Sequence, residues 1–246
     1  MSKLTVVIVP GAWQTPVAWS TFQATLRKAG YPPSIHVSLP TIGGTETPLA
    51  GLAEDVAAVR NILEPLVDQG KDVVLLCHSS GGVIGSNAVE GFDAASRKAA
   101  GKPGGIVRVV FLAAFMLPKD QSLLDMLGGK PLPWMKLEGD RVSGDPDMFP
   151  QIGFNDMCAE DQARWAKEAT HTSAALFAAP SSYEPWASGI PCSYIFCSND
   201  NALPPVFQQG MAQQLGPEPR TATLKSGHCP FLSMPDELLK AFETVC

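Results

Sequence analysis

Hydrophobic positions in this chain follow two alternating patterns. Leu4–Val9 and Val73–Cys77 are runs rich in β-branched residues, and Ile106–Ala113 and Cys192–Cys197 are largely apolar. Runs of that length and composition predict strands covered on both faces. Between them apolar residues recur at helical spacing: Trp19, Phe22 and Leu26 after Thr15-Pro16; Leu52, Val56, Val59, Leu63 and Leu66 between Gly51 and Gln69; Leu238, Leu239 and Phe242 between Pro235 and Val245. These predict helices with one inward face. Pro65 is expected to kink or end the second of them. A shorter, more polar strand is expected over Ser34–Leu39, a brief one over Thr221–Leu224, and a helix over Pro204–Leu215. Asp93–Gly105 reads as a polar surface excursion. Strands alternating with helices predict an α/β fold, with a mostly parallel sheet and helices on both faces.

The alternation stops after Ala113. Residues 116–185 have no β-branched run but many prolines, methionines and scattered aromatics, with one plausible helix from Ala159 to Lys167. The β–α order then resumes. We therefore expect one domain over residues 1–246, with 116–185 inserted as a cap above the sheet.

Composition narrows the function class. The 246 residues are 45% hydrophobic and 17% charged, which describes a folded globular chain. A net charge of −6 without a basic run argues against nucleic acid and anionic membranes as partners. The apolar stretch at Leu4–Val9 is too short for a signal segment or a membrane span. The six cysteines then read as reduced thiols in a cytoplasmic protein. Neither a C-x-x-C pair nor H-E-x-x-H occurs, so no metal is expected. Oligomeric state is not encoded in any pattern found.

The strongest chemical signal is Cys77-His78-Ser79-Ser80-Gly81-Gly82, where a buried strand runs into a segment that reads as helix. A serine at the tip of such a turn is a nucleophile elbow, with small flanking residues because strand and helix nearly touch. With Ser79 at the tip the small flanks are Cys77 and Gly81. With Ser80 there, His78 would occupy a position that needs a small side chain. A serine nucleophile needs a base and an orienting acid. Of four histidines, His36 lies within a strand, His78 should point away from Ser79, and His171 lies in the expected cap. His228 follows the last predicted strand, where active groups of parallel sheets gather, and is the expected base. Asp200, after the preceding strand, is the expected acid, with Asp120 as the alternative. The N–H groups of Ser80 and Ala12 are expected to form the oxyanion hole.

Val9-Pro10-Gly11-Ala12-Trp13 with Trp19, Cys77–Gly82, Tyr194–Pro204 with Phe207 and Gln208, and Gly227-His228 together resemble the α/β-hydrolase superfamily. The branch most similar is that of plant methylesterases and hydroxynitrile lyases with their microbial relatives; it extends weakly to Phe154-Asn155-Asp156. The resemblance implies serine esterase chemistry on a small ester, no cofactor, and a triad of Ser79, Asp200 and His228. Pro10 stands where many members have histidine. Lyase members carry Thr in place of Gly11 and Lys in place of Cys229, so both positions favour ester hydrolysis. Trp13, Phe115, Phe154, Trp165 and Cys229 are the expected substrate contacts, and the Met, Phe and Trp content of the cap suggests an apolar or aromatic acyl group. The same scaffold could serve a lyase, a carbon–carbon bond hydrolase or a low-turnover receptor.

Overall fold

The structure, a computed structural model, describes residues 3–246. Six strands form one parallel sheet: β1 (Thr5–Val9), β2 (Ile35–His36), β3 (Asp72–His78), β4 (Gly105–Leu112), β8 (Cys192–Cys197) and β9 (Arg220–Leu224), in the order β2-β1-β3-β4-β8-β9. The central strands are covered on both faces, which is why they read as largely apolar runs, with Arg108 of β4 the half-buried exception. Chain order reverses between β1 and β3, so the crevice beyond their carboxyl ends is the position where parallel sheets bind ligands. The loops after β1 and β3 both open there.

Helices α1 (Ser20–Lys28), α2 (Leu52–Asp68), α3 (Gly81–Ala88), α4 (Ala94–Ala99), α9 (Pro205–Ala212) and α11 (Pro235–Val245) accompany the sheet. Helix α2 does not stop at Pro65. It runs one further turn to Asp68, because a proline there forfeits only one intrahelical bond near the end. The expected strand over Ser34–Leu39 shrinks to the two residues of β2, which bond only to β1 at the sheet edge. Asp93–Gly105 runs over the surface as expected, but it holds a short helix with one buried side chain. Asp93 caps α4 through the Ser96 N–H at 2.7 Å, and the buried Arg97 guanidinium bonds to Pro103, Gly104 and Asp68. The helix expected to reach Leu215 leaves α-geometry after Ala212. Leu239 is half-buried, while Leu238, Ala241, Phe242 and Val245 face inward.

The segment between β4 and β8 holds a second sheet that its composition hid. Strands β5 (Met135–Glu138), β6 (Arg141–Gly144) and β7 (Thr172–Ser173) pair antiparallel. With them come α5 (Leu123–Met126), α6 (Phe149–Gly153), α7 (Ala159–Glu168) and α8 (Ala174–Ala178). β5 alternates Met-Lys-Leu-Glu, a period-two pattern without β-branched residues. The buried Asn87 of α3 anchors the end of this segment. Its Oδ1 accepts from the Ser182 N–H and Oγ–H, both at 2.6 Å, and its amide donates to Val83 and Ser181.

His36 on β2 is packed, as expected of a strand histidine, but not hydrogen-bonded: both ring nitrogens are buried without partners. Burial lowers its pKa from 6.5 to about 4. The unfolded chain therefore takes up this proton before the folded one does, and stability is lost as pH falls from 6.5 towards 4. His36→Leu should gain stability relative to the parent protein at pH 5 compared with pH 7.5. Urea denaturation of both proteins at the two pH values checks this; a difference that does not change with pH contradicts it.

Candidate active site

The elbow is built by close contact. Ser79 follows β3 with φ at +52°, a strained left-handed conformation for a residue with a side chain. At Gly81 a Cβ would collide with the carbonyls of Val9 and Pro10, and at Gly82 with that of Phe115. Gly85, one turn on, leaves the space that the Cys77 thiol fills. A cysteine two residues before the serine is thus accommodated by a glycine in the helix that crosses it.

His228 sits in the loop after β9, beside Ser79 on the wall of one cavity. Its Nδ1 lies 2.7 Å from Asp200 Oδ2. The carboxylate accepts, so Nδ1 carries the proton and Nε2 is left with a lone pair. Asp200 is buried and fully engaged: Oδ1 accepts from the Ala202 and Leu203 N–H groups at 2.8 Å each, and Oδ2 from His228 and Gln208. Asp120, the alternative acid, is exposed in a turn with φ at +67° and bonds through its backbone to Ser181. Among the described residues no hydrogen bond joins Ser79 to His228; such bonds commonly tighten only when substrate is bound.

The Ala12 N–H donates to Ser80 Oγ at 2.8 Å. A ligand oxygen entering there must displace that hydroxyl. The Ser80 N–H opens the short helix α3 and has no protein acceptor among the described residues.

Two residues whose roles the sequence concealed hold the site's loops together. Gln14 Oε1 accepts from the Gly11 N–H and from Trp19 Nε1, both at 3.1 Å. Its amide nitrogen must therefore face His78 Nδ1, 2.8 Å away, and donate to it. That assigns the His78 proton to Nε2, which donates to the His228 carbonyl at 2.8 Å. One chain of bonds thus runs from the loop after β1, through the residue before Ser79, to the backbone of His228. Burial, aided by repulsion from His228, lowers the His78 pKa well below its usual value and keeps this ring neutral. A Cβ at Gly11 would lie 2.7 Å from the Ser79 Cβ and 3.0 Å from His78 Nδ1, so this arrangement requires glycine there.

The cavity, about 830 Å³ including its open mouth, is lined by all five expected contacts: Trp13, Phe115, Phe154, Trp165 and Cys229. Trp134, Phe149 and Phe177 join them; nothing in the local pattern singled these out among the aromatics of the segment. Trp13, with φ at +67°, ties both halves of the site. Its N–H donates to Thr172 Oγ1 and its Nε1 to the Val142 carbonyl, both at 2.8 Å, and its ring lies 5.3 Å from that of Trp134. Cys229 is buried, and desolvation raises its thiol pKa well above the usual value, so it adds no charge. His171 lies outside the lining, its Nε2 2.9 Å from the Gly44 carbonyl. Among the described residues no cluster of His, Cys, Asp or Glu could hold a metal ion, and no helix is long and apolar enough to cross a membrane.

The profile of the alpha/beta hydrolase family matches residues 6–241. This chain belongs to that family. It is 30% identical to a probable hydrolase of Phoma sp., over 97% of this chain and 96% of that one. An alpha/beta hydrolase of Aspergillus novofumigatus is also 30% identical, over 98% and 95%. A putative chloroplastic methylesterase of Arabidopsis thaliana is 28% identical, over 78% of this chain and half of its own length. Among solved structures, polyneuridine aldehyde esterase superposes with a TM-score of 0.75 at 20% identity, covering 97% of both chains. A methylesterase from Arabidopsis gives 0.72 at 20%, covering 98% of both. At that identity the likeness is one of fold.

Removing Gln14 tests the bond chain. Gln14→Leu leaves the Gly11 N–H, the Trp19 indole N–H and His78 Nδ1 without partners in a largely buried setting, and should destabilise the protein by on the order of 3 kcal/mol. Chemical denaturation of the variant measures the loss; a change under about 1 kcal/mol would mean that water replaces the amide.

Proposed function

We propose that this hydrolase cleaves a small carboxylic ester with an apolar or aromatic acyl group through an acyl-enzyme on Ser79. The observation that carries the reading is the 2.7 Å bond from His228 to a buried, fully engaged Asp200 on the wall that also bears Ser79. In this reading His228 Nε2 takes the Ser79 proton as Oγ attacks the ester carbonyl. Asp200 keeps the ring oriented and stabilises the imidazolium. The carbonyl oxygen, now an anion, displaces the Ser80 hydroxyl from the Ala12 N–H and takes the Ser80 N–H as its second donor. His228 then protonates the departing alcohol, and a water deprotonated by the same histidine releases the acid. No cofactor is needed. The segment over residues 116–185 serves as the cap that lines the acyl site with aromatics; Glu168 at the rim is the carboxylate among the lining side chains and disfavours anionic substrates.

Ester hydrolysis is preferred to lyase chemistry on two grounds. Cyanohydrin cleavage needs a positive charge beside a departing anion, and the buried Cys229 thiol supplies none. Gly11 has no room for a larger residue that could contact such a substrate.

A fluorophosphonate probe should label Ser79, and a panel of p-nitrophenyl esters should be hydrolysed by the parent protein but not by Ser79→Ala. Labelling at Ser80 would sink the assignment. Asp200→Asn should cut kcat by roughly 10⁴-fold, because the wrong histidine tautomer is then favoured, while Asp120→Asn should be nearly silent. Cyanide release from a cyanohydrin faster than ester turnover by the same preparation would overturn the esterase reading.

A further inference from the structure

A second apolar chamber lies behind the first. It measures about 530 Å³ including its open side and shares three wall residues with the active-site cavity: Leu127, Met135 and Phe177. The β5–β6 hairpin supplies one wall. Met135 and Leu137 lie two apart on β5 and so face the same side, and Val142 is the register partner of Leu137 on β6. The alternate residues of β5, Lys136 and Glu138, are outside the lining. Helix α8 supplies the opposite wall through Ala174 and Ala178, four apart on one face, with Phe177 between them.

Here three elements turn apolar faces toward one space, and α8 contributes two alanines where larger side chains would have closed it. Leu137 at the rim is left 52% exposed. The three shared residues, Leu127, Met135 and Phe177, form the partition between this space and the active-site cavity. Met135 is unbranched and flexible, and Phe177 packs against the Trp13 ring with 5.9 Å between ring centroids. An apolar space of this kind binds apolar ligands, and the wall it shares with the site names the ligand.

We propose that the second chamber is a distal subsite, which receives the far end of an extended apolar group on the substrate once Phe177 and Met135 turn aside. The inference rests on the reading of the first cavity as the substrate site. Among the small esters of that reading, it makes the preferred substrate one whose uncharged apolar group, alkyl or aryl-terminated, is extended rather than short.

Binding of 2-alkanones tests this without turnover, since their carbonyl resembles the ester group and Trp13, Trp134 and Trp165 in the cavity report occupancy by fluorescence. Leu137→Asp places a charge in the second chamber at an exposed position that folding tolerates. Ala178→Phe fills the chamber. Neither residue lines the first cavity. Each buried methylene should strengthen binding by about fourfold in the parent protein. Either folded variant should weaken 2-dodecanone by at least about tenfold and leave 2-hexanone within about twofold. Unchanged affinity for 2-dodecanone, or equal loss for both ketones, overturns the subsite. Failure of the esterase reading looks different: Ser79 stays unlabelled by the phosphonate while the length-dependent ketone pattern persists.

Discussion

The architecture of the site depends on one contact: the amino end of α3 lies against the carbonyls that end β1. Gly81 permits it, because any side chain there would strike Val9 and Pro10. Bringing helix and strand this close has two consequences. It forces Ser79 into positive φ, lifting its side chain out of the sheet toward the crevice. It also sets the Ser80 side chain against the loop after β1, where the Ala12 N–H finds it at 2.8 Å. Gly81, Gly82 and Gly85 let the helix approach β1, the loop at Phe115 and the Cys77 thiol closely enough to hold Ser79 in that conformation.

Hydrogen bonds then carry that fixed geometry outward. Gln14 and His78 link the loop after β1 to the His228 backbone, and Asp200 and Gln208 fasten the His228 ring and the loop after β8. All of these polar groups are buried or nearly so. A partner lost there costs the full desolvation of what remains, so the network is held as a unit. Trp13 carries the same frame into the inserted segment through its two N–H bonds and its contacts with Trp134, Phe149 and Phe177. The aromatic lining is therefore positioned by the same loop whose Ala12 N–H donates to Ser80.

How much of this was legible in the residue order varied with the kind of interaction. The buried strands, α1, α2, α7 and α11 were readable, because their apolar periods reflect local geometry. So were the positions of Ser79, Asp200 and His228, since a small-residue turn after a strand, and loops after the two last strands, are local features of a parallel sheet. Strand β2 was overread because edge position, not composition, limited it to two residues. Helix α4 was overlooked because its one buried polar side chain, Arg97, finds its partners only in the folded chain. The hairpin of β5 and β6 was missed because Met, Lys, Leu and Glu are helix formers placed in a strand by tertiary context.

By itself the sequence determined the layered α/β plan, the tight turn with Ser79 at its tip, and the loops that hold Asp200 and His228. Each is set by periodicity or by the steric needs of a single turn. Only the tertiary structure decided that Gln14 fixes the His78 tautomer, that Ser80 rests on the Ala12 N–H, that Asp120 stays in solvent, and that two apolar chambers share a wall. These depend on residues up to 150 positions apart meeting in space, as His78 meets His228. Side chains so far apart in the chain leave no common local pattern, because what joins them is the packing of the whole sheet.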